Sequence, residues 1–405
     1  MRKKKIAIIG RGTAGAISAA LLYKRQEFDT DWIYDSNIKT QAVGEGSILN
    51  LPKLLYKHLG FTFQDLYSVD GTQKIGLKKD GWGKSGKPFF HYFTPGEYGY
   101  HFNALKLQDF VTNRVSDSIN LHDMNVKSYD DIDADHIIDC GGRRLIDDTY
   151  SMSEYMPINS AYVTQCYWEN PKFNYTLAIA RPYGWVFGVP LQNRCSIGYM
   201  YNDKINSLDE VKEDVKKIFE EYDLTPSEHT NSISFPNYYK KENYSDRVSY
   251  NGNASFFLEP LEATSISFMM EITTHTMLLL SHTISLNACN RFYQNRVQEI
   301  QNVIMMHYFA GSKYKTEFWE KAKILGYKNL QDFAPYFRQV VEYSLNDAFT
   351  VNSIQYINVK HPPKPVGPMP QNALDGYGTW TPGSFNLNIR GLEIVEELKS
   401  LYNIK

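Results

Sequence analysis

The pattern of apolar and polar residues predicts a strand, a tight turn and a helix at the start of the chain. An apolar run at 5–9 is followed by a glycine-rich segment at 10–15, and an alanine-rich run continues to Leu22. A second short apolar run at 32–34 ends in Asp35. A strand, a glycine turn, a helix and a second strand in this order predict a βαβ unit of a parallel sheet.

The middle of the chain predicts an antiparallel sheet and then helices. Short β-like runs with closely spaced turn residues between them are typical of antiparallel strands, and they occur at 161–168, 176–181, 185–190 and 195–201. Ser207 begins an amphipathic helix, because Glu210 lies three residues later and completes a capping box. A long apolar helix is predicted from about Thr264, and residues 286–310 continue as helix.

Two further patterns complete the outline. Apolar runs at 135–140 and 248–251 predict strands, and the first runs into the glycine pair at 141–142. Segment 361–384 contains six prolines and four glycines, which predicts an irregular loop. The last predicted helix covers 392–402. The whole pattern is α/β with a β-rich insertion.

The composition is that of an ordinary globular protein. The 405 residues include 43 Lys plus Arg and 45 Asp plus Glu, which gives a net charge of −2. This balance does not support a nucleic-acid or membrane-surface partner, and no apolar run reaches the roughly 18 residues needed to span a bilayer. Four widely spaced cysteines predict reduced thiols and no metal site. We therefore expect a cytoplasmic protein that binds neither nucleic acid nor membrane.

The glycine turn has the spacing of a dinucleotide-binding fingerprint. Gly10 permits the tight turn, Gly12 lets the backbone approach a pyrophosphate, and Gly15 permits close packing of helix on strand. The pyrophosphate would lie at the helix N-terminus, and Asp35 would accept hydrogen bonds from ribose hydroxyls. FAD and NAD both fit this pattern, and a turn that binds nothing is the alternative. The predicted cofactor-binding residues are Gly10, Gly12, Thr13, Ala14, Gly15 and Asp35.

Six further motifs follow in a constant order between this turn and about residue 320. They are Val43-Gly44-Glu45-Gly46, Lys74-Ile75-Gly76-Leu77-Lys78 with Trp82, Phe90-His91-Tyr92-Phe93, Ile137-Ile138-Asp139-Cys140-Gly141-Gly142, Gly184-Trp185-Val186-Phe187-Gly188-Val189-Pro190, and Phe257-Leu258-Glu259-Pro260-Leu261-Glu262-Ala263-Thr264-Ser265. Together they resemble the flavin-dependent halogenases, the family that includes the tryptophan halogenases.

The resemblance implies that reduced FAD, O2 and chloride, bromide or iodide produce hypohalous acid, which halogenates an electron-rich aromatic ring. It places the catalytic lysine at Lys78, whose ammonium could donate to hypohalous acid or whose amine could form a haloamine. It places the catalytic glutamate at Glu262, which would take the ring proton or polarise the hypohalous acid. The alternatives are a solvated Lys78 and a Glu262 that only favours a helix dipole.

The same resemblance assigns the binding residues. Backbone N–H groups of Thr264 and Ser265 would bind the halide at a helix start, and His91 with Phe93 would hold the aromatic substrate. Trp185, with Phe187 near it, would lie beside the flavin and keep the substrate away from it, although both could be core aromatics. The remaining predicted cofactor contacts are Val43, Gly44 and Glu45.

The fold class that follows is α/β, with a Rossmann-type FAD-binding domain, an inserted antiparallel β-sheet substrate region and a C-terminal helical part. We expect an FAD-binding core over approximately 1–290, with β-rich substrate insertions around 70–130 and 155–240. A helical and loop-rich C-terminal cap is expected over 291–405.

Departures from the family pattern shape the expected partners. Ala263 and Ser265 replace a serine and a glycine of the family signature, so we expect bromide or iodide to be used at least as well as chloride. Segment 361–385 offers one carboxylate, Asp375, and otherwise aromatic residues, of which we expect Tyr377, Trp380 and Phe385 to lie across the site from His91 and Phe93. We therefore expect indoles, phenols or anilines to be accepted in preference to free tryptophan. Only one dinucleotide fingerprint is visible, so reduced FAD would come from a separate NAD(P)H-dependent flavin reductase. The sequence leaves a homo-oligomer open.

Two other functions remain compatible with the sequence. An FAD-dependent aromatic hydroxylase would share the fold, but it would need neither a delivering lysine nor the aromatic segment 185–190. A flavin-binding protein without turnover would keep only the fingerprint. Products formed from reduced FAD, bromide and an indole distinguish the three, because only a halogenase adds bromine.

Overall fold

The computed structural model describes residues 2–38, 44–93, 97–143, 145–346 and 380–404. The chain divides into two compact units, each built from three stretches. The first unit comprises Met1–Thr72, Gly99–Ser153 and Pro236–Val297, and the second comprises Gln73–Tyr98, Glu154–Phe235 and Gln298–Lys405. The predicted core over 1–290 with a cap from 291 divides the chain differently, and its boundaries stay a prediction.

The described residues form mostly short strands and longer helices, numbered in chain order. The strands are β1 (Lys4–Ile9), β2 (Phe28–Tyr34), β3 (Gly44–Gly46), β4 (Thr72–Lys74), β5 (Gly76–Asp80), β6 (Phe89–Tyr92), β7 (Gly99–Asn103), β8 (Asn120–Asp123), β9 (His136–Asp139), β10 (Tyr150–Met152), β11 (Ser160–Tyr167), β12 (Thr176–Arg181), β13 (Gly184–Pro190), β14 (Arg194–Tyr201), β15 (Thr225–Ser234), β16 (Tyr238–Lys240), β17 (Val248–Tyr250) and β18 (Phe256–Phe257). The helices are α1 (Thr13–Leu22), α2 (Asn50–Leu59), α3 (Phe63–Ser68), α4 (Ala104–Val115), α5 (Leu208–Glu221), α6 (Thr264–Leu280), α7 (Leu286–Ala310), α8 (Glu317–Asp332), α9 (Ala334–Leu345), α10 (Pro382–Gly391) and α11 (Val395–Tyr402).

The first unit is built around a five-stranded parallel sheet with the order β17-β9-β1-β2-β8. The central strand β1 is apolar because it is covered on both faces, and Ile6, Ala7 and Ile8 are fully buried. The alanine-rich helix α1 is buried along nearly its whole length and contacts α4 and α6. The predicted strand–turn–helix and the strands at 135–140 and 248–251 are confirmed.

The second unit contains a seven-stranded sheet with the order β15-β11-β14-β13-β12-β5-β6. Its neighbours are antiparallel except for β12 and β5, which run parallel. One face of the sheet packs against α5, whose Val211, Val215 and Ile218 join a buried cluster with side chains of β11 to β14. The predicted capping box is present, since Ser207 and Glu210 bond each other's backbone N–H groups. The predicted antiparallel sheet is confirmed.

The C-terminal part is helical where it is described. The helices predicted from Thr264 and over 286–310 correspond to α6 and α7. Of the predicted loop at 361–384, residues 361–379 lie outside the described residues, and the prediction is wrong from Pro382 onward. A helix begins there because Thr381 caps the backbone N–H of Ser384 and proline suits the first helical position. The architecture as a whole confirms the predicted α/β fold class.

No helix in the described part of the chain has both the length and the apolar character needed to cross a bilayer.

A buried ion pair joins the sheet of the second unit to α5. Arg181, at the end of β12, donates through Nε (2.8 Å) and Nη2 (2.7 Å) to the two carboxylate oxygens of Asp214. Tyr199 also donates to this carboxylate, at 3.1 Å. Burial alone would raise the pKa of Asp214, but the hydrogen bonds and charge of Arg181 outweigh burial and hold that pKa below its ordinary value.

We expect the Arg181→Met substitution to lower the free energy of unfolding by about 3 kcal/mol, because it leaves a buried carboxylate without its bidentate partner. This loss is at the lower end of the range for broken buried ion pairs, because Nζ of Lys217 lies 3.2 Å from Asp214 and still offers its carboxylate a positive charge. The double variant Arg181→Met/Asp214→Leu should recover most of it. Urea unfolding measures all three, with Lys172→Ala of the exposed Lys172–Asp223 pair as the control, expected within about 1 kcal/mol of wild type. Equal losses for the buried and the exposed pair would contradict the expectation.

Candidate active site

The glycine turn between β1 and α1 is sterically constrained at its first and last glycines. Gly10 has a φ of +93°, and a Cβ there would lie 2.5 Å from the carbonyl oxygen of Cys140. A Cβ at Gly15 would lie 2.0 Å from the carbonyl oxygen of Gly10. That same oxygen accepts a hydrogen bond of 2.8 Å from the indole of Trp32. These two glycines therefore permit the turn itself.

Gly12 is different, because nothing in the described structure occupies the space beside it. Apart from the two chain neighbours of Gly12, no described residue has an atom within 4 Å of a Cβ placed there, and the φ of Gly12 is −71°. Gly12 is the N-cap of α1 and provides no side-chain cap, so the N–H groups of the first helical turn remain available to an anion. Open space beside uncapped N–H groups fits the pyrophosphate of a dinucleotide.

Asp35 lies at the carboxyl end of β2 with its carboxylate already oriented. Asn125 donates to one oxygen at 2.8 Å, and the backbone and side chain of Asn37 donate to the other at 2.9 and 3.0 Å. The hydrogen bonds from Asn125 and Asn37 hold the pKa of Asp35 below its ordinary value. A carboxylate held ionised at a strand end suits the predicted acceptor of ribose hydroxyls, a role that stays a prediction.

Glu45 lies on β3 and contacts the start of α1. The hydroxyl of Thr13 donates to its carboxylate at 2.8 Å. Burial raises the pKa of Glu45 to about 7, and the Thr13 hydrogen bond offsets only part of this effect. The structure thus brings Thr13 and Glu45 together beside the glycine turn. Gly44 lies on the same strand, whereas Val43 lies outside the described residues.

The glutamate motif forms a strained turn at the start of α6. Glu262 and Ala263 both have positive φ, +71° and +53°, which non-glycine residues adopt only where the surroundings impose it. Thr264 then begins α6, and no side chain caps this helix. The N–H groups of Thr264 and Ser265 therefore belong to an uncapped helix start, which is suited to a halide. The Glu262 side chain is buried, with 2% exposure.

In the second unit, the sheet register places the aromatic motif on one face. His91 pairs with Leu77 across β5 and β6, so these two side chains lie on the same face. The ring of His91 lies 6.4 Å from that of Phe93 and stacks on Trp380 at 5.5 Å and 29°. The structure thus brings together the predicted substrate residues His91 and Phe93. Trp380, which the sequence placed among the aromatic residues of this pocket, joins them, whereas Tyr377 lies outside the described residues.

The register places Lys78 on the opposite face. Lys78 pairs with Leu177 of β12, which belongs to the cluster packed against α5. Its Nζ donates to the hydroxyl of Tyr222, just after α5, at 3.0 Å. The structure therefore does not bring Lys78 to the face that carries His91, and the catalytic role predicted for Lys78 has no support from this geometry.

Lys74, from the same motif, is the lysine that lies beside the aromatic residues. Its side chain is fully buried, and its Nζ lies 5.7 Å from the centroid of the Phe93 ring. The N–H of Phe93 donates to the carbonyl of Ile75 at 2.9 Å, which fixes Phe93 next to the end of β4. The sequence contained one signal against Lys78, which is the alternation of side chains along β5. Alternation places Lys78 on the face opposite Leu77, and His91 pairs with Leu77.

Trp185 and Phe187 lie two residues apart on β13, with ring centroids 6.3 Å apart. Phe187 pairs with Ala178, and Ala178 pairs with Lys79, so this face is also the face of His91. Trp185 is buried, and its indole Nε1 has no hydrogen-bond partner among the described residues. A buried indole N–H is available to a ligand, and the predicted contact of Trp185 with the flavin stays a prediction.

The first unit has the strand, glycine turn and helix typical of dinucleotide-binding proteins, and the second has a buried amine beside an aromatic ring. Comparison with known proteins assigns the family. The sequence model of the tryptophan halogenase family matches residues 5–126 and 106–373. The tryptophan 7-halogenase RebH of Lentzea aerocolonigenes is 22% identical over 421 residues, with 79% of each chain covered. The tryptophan 6-halogenase ThaL of Streptomyces albogriseolus is 21% identical, with 80% of each covered.

Solved structures agree at the level of the fold. Xcc4156, a flavin-dependent halogenase from Xanthomonas campestris, has a TM-score of 0.76 at 18% identity, with 100% of this chain and 94% of that chain covered. BrvH, a flavin-dependent halogenase from Brevundimonas, has a TM-score of 0.70 at 18% identity, with 80% and 82% covered. The chain belongs to the tryptophan halogenase family of flavin-dependent halogenases. The predicted family and the predicted enzyme class, an FADH2-dependent oxidoreductase, are confirmed.

We expect Gly12→Ala to weaken FAD binding at least tenfold, equivalent to about 1.4 kcal/mol, without lowering the thermal unfolding midpoint. The methyl group would occupy the open space beside the helix start, at a φ that alanine adopts freely. Flavin fluorescence titration and thermal unfolding measure the two effects. Gly15→Ala is the control and should destabilise the fold itself, because its Cβ would meet the Gly10 oxygen. Normal FAD affinity in Gly12→Ala would exclude this turn as the pyrophosphate site.

Glu45 should make the stability of the FAD-free protein depend on pH. A carboxyl group with a raised pKa stabilises the fold fully below its ordinary value of 4.5, and this contribution is lost as the pH rises through about 7. The Glu45→Gln substitution should therefore be stabilising relative to wild type at pH 8 but not at pH 4.5, by up to about 3 kcal/mol. Urea unfolding at the two pH values tests this. Asp35→Asn is the control, since the lowered pKa of Asp35 predicts no such change over this range.

Proposed function

We propose that the protein is a halogenase that uses reduced FAD, O2 and a halide to halogenate small electron-rich aromatic compounds. The observation that carries the proposal is the buried amine of Lys74 beside the ring of Phe93, which in turn contacts His91. A buried lysine next to a flat aromatic surface can act on a ring held there, whereas a purely structural core would use an apolar side chain at lower cost.

The first unit would hold the cofactor and the halide. The uncapped start of α1 beside Gly12 would bind the pyrophosphate, and Asp35 would bind a ribose. When bound, reduced FAD with O2 supplies the oxidant that converts a halide ion into hypohalous acid. The N–H groups of Thr264 and Ser265 would hold the halide. Ser265 replaces a glycine of the family motif, so we expect bromide or iodide to be used at least as well as chloride.

Lys74 would hold hypohalous acid by donating hydrogen bonds from its ammonium to the oxygen of that molecule. The ring then attacks the halogen and the bond between halogen and oxygen breaks, so the departing hydroxide takes a proton from the Lys74 ammonium and leaves as water. The ring afterwards loses the proton from the substituted carbon. Glu262 would accept that proton or stabilise the cationic ring before the proton leaves. Because Lys74 is buried, it would deliver the halogen only to a ring bound next to it. Lys78 lies on the other face of the sheet and would take no part in the reaction.

His91, Phe93 and Trp380 would hold the substrate. Trp380 stacks on His91 and Phe93 meets His91 edge-on. Aromatic side chains of this kind would select for an electron-rich ring and place few demands on its substituents. We therefore propose indoles, phenols and anilines as substrates, with the position of halogenation set by the reactivity of the ring. The relatives named above act on tryptophan, as their names state. We propose that a separate NAD(P)H-dependent reductase supplies the reduced FAD.

The two lysines of the motif can be separated directly. We expect Lys74→Ala and Glu262→Gln to lose at least a hundredfold in halogenation, because general acid–base and electrostatic groups contribute at least this much. Lys78→Ala, on the α5 face, should lose less than threefold. The assay supplies reduced FAD, bromide and indole, and mass spectrometry counts products with the bromine isotope pattern.

The same assay contains its own controls. FAD binding and the oxidation of reduced FAD by O2 should be unchanged in all three variants, since none of these residues lies at the glycine turn. An activity loss in Lys78→Ala together with full activity in Lys74→Ala would restore the original assignment of Lys78. An oxygen adduct in place of bromine would identify a hydroxylase, and no product with any indole, phenol or aniline would favour a flavin-binding protein without turnover.

A further inference from the structure

A second fully buried lysine, Lys79, lies on the same face of the sheet as His91. Its Nζ is 2.5 Å from Nε2 of His307 on α7, and it also donates to Oδ1 of Asn388 on α10. Nδ1 of His307 lies 2.8 Å from the carbonyl oxygen of Val303 and must donate its proton there. Nε2 is therefore the acceptor, and Lys79 is the donor. We call Lys79, His307 and Asn388 the α10 anchor.

The α10 anchor is an expensive way to fill the core. A buried ammonium loses its hydration, and an apolar side chain of the same volume would fill the space at lower cost. The aromatic residues around it could accommodate such a side chain, since Nζ lies 5.7 Å from the ring of Phe89 and Trp82 stacks edge-on against His307. The lysine donates hydrogen bonds that join β5 to α7 and α10, and an apolar side chain cannot make these bonds.

The position of α10 determines the position of Trp380. Trp380 directly precedes Thr381, the N-cap of α10, and its ring stacks on His91. Elsewhere on α10, Gly391 lies so close to Phe89 that a Cβ would come 2.2 Å from that ring. Asn388 lies on the helix that follows Trp380, and its hydrogen bond to Lys79 fixes that helix against β5, the strand that pairs with the strand of His91.

We propose that the α10 anchor positions Trp380 against His91 and thereby sets the affinity for the aromatic substrate. The inference rests on the proposed function, in which His91, Phe93 and Trp380 hold the ring. Lys79 is a positioning residue and does not touch the substrate, in contrast to Lys74. Removing the link lets α10 and Trp380 move, so substrate binding weakens while the chemistry on bound substrate continues.

The test compares Lys79→Met, which keeps the length of the side chain without the ammonium, with two variants of its partner. Asn388→Leu removes the acceptor, whereas Asn388→Asp keeps an acceptor oxygen at the same position. We expect Lys79→Met and Asn388→Leu to raise KM for indole at least fivefold with kcat within twofold. Asn388→Asp should stay within twofold of wild type for both. Lys172→Met, which removes an exposed lysine paired with Asp223, should change neither parameter.

Hydrogen exchange provides the readout that does not depend on halogenation. Backbone amides of 384–391 should exchange at least tenfold faster in Lys79→Met and Asn388→Leu than in wild type, while α1 is unchanged. Unchanged exchange in α10, or a raised KM without faster exchange, would overturn the proposal. If the wild-type protein does not halogenate, the proposed function fails. Hydrogen exchange in α10 and indole binding by equilibrium dialysis still test whether the α10 anchor positions Trp380. Should Lys79→Met not fold, the pair Asn388→Leu and Asn388→Asp carries the same comparison.

Discussion

The register of β5 between β6 and β12 is the constraint on which the chemistry of the second unit depends. Successive side chains of a strand point to opposite faces, so the pairings of Leu77 with His91 and of Lys78 with Leu177 assign each residue a face. One face carries His91, Lys79 and the aromatic residues, and the other carries α5 and Tyr222. A shift of β5 by one residue would exchange Lys78 with Lys79 and remove the Lys79 ammonium from His307 and Asn388.

In the first unit, the groups proposed to bind ligands are backbone N–H groups at helix starts, whereas in the second unit they are side chains. Both α1 and α6 begin without a side-chain cap, α1 at Gly12 and α6 after the left-handed pair Glu262 and Ala263. An uncapped start leaves N–H groups unsatisfied, and two successive residues with positive φ add backbone strain of about 1–3 kcal/mol each. Arrangements of this kind persist where an anion offsets their cost, which is the role proposed for pyrophosphate at α1 and halide at α6.

Buried cations in the second unit illustrate two ways to offset lost hydration. Arg181 meets the carboxylate of Asp214 in a bidentate pair and joins β12 to α5. Lys79 meets the neutral acceptors His307 and Asn388 and joins β5 to α7 and α10. The first arrangement pairs two opposite charges, and the second directs hydrogen bonds from one strand to two helices.

The sequence by itself determined the features that depend on local order. The glycine spacing at 10–15, the capping box at Ser207 and the order of the family motifs predicted the nucleotide-binding unit, the sheet with α5 and the family, because each rests on neighbouring residues. It did not determine which lysine of the motif faces the aromatic rings, since that depends on pairing with β6 and β12. It placed Trp380 in the same pocket as His91, but it could not show that the two rings stack or that Asn388 bonds Lys79. Those contacts join residues about 300 positions apart, and only the packing of α10 on the sheet makes them.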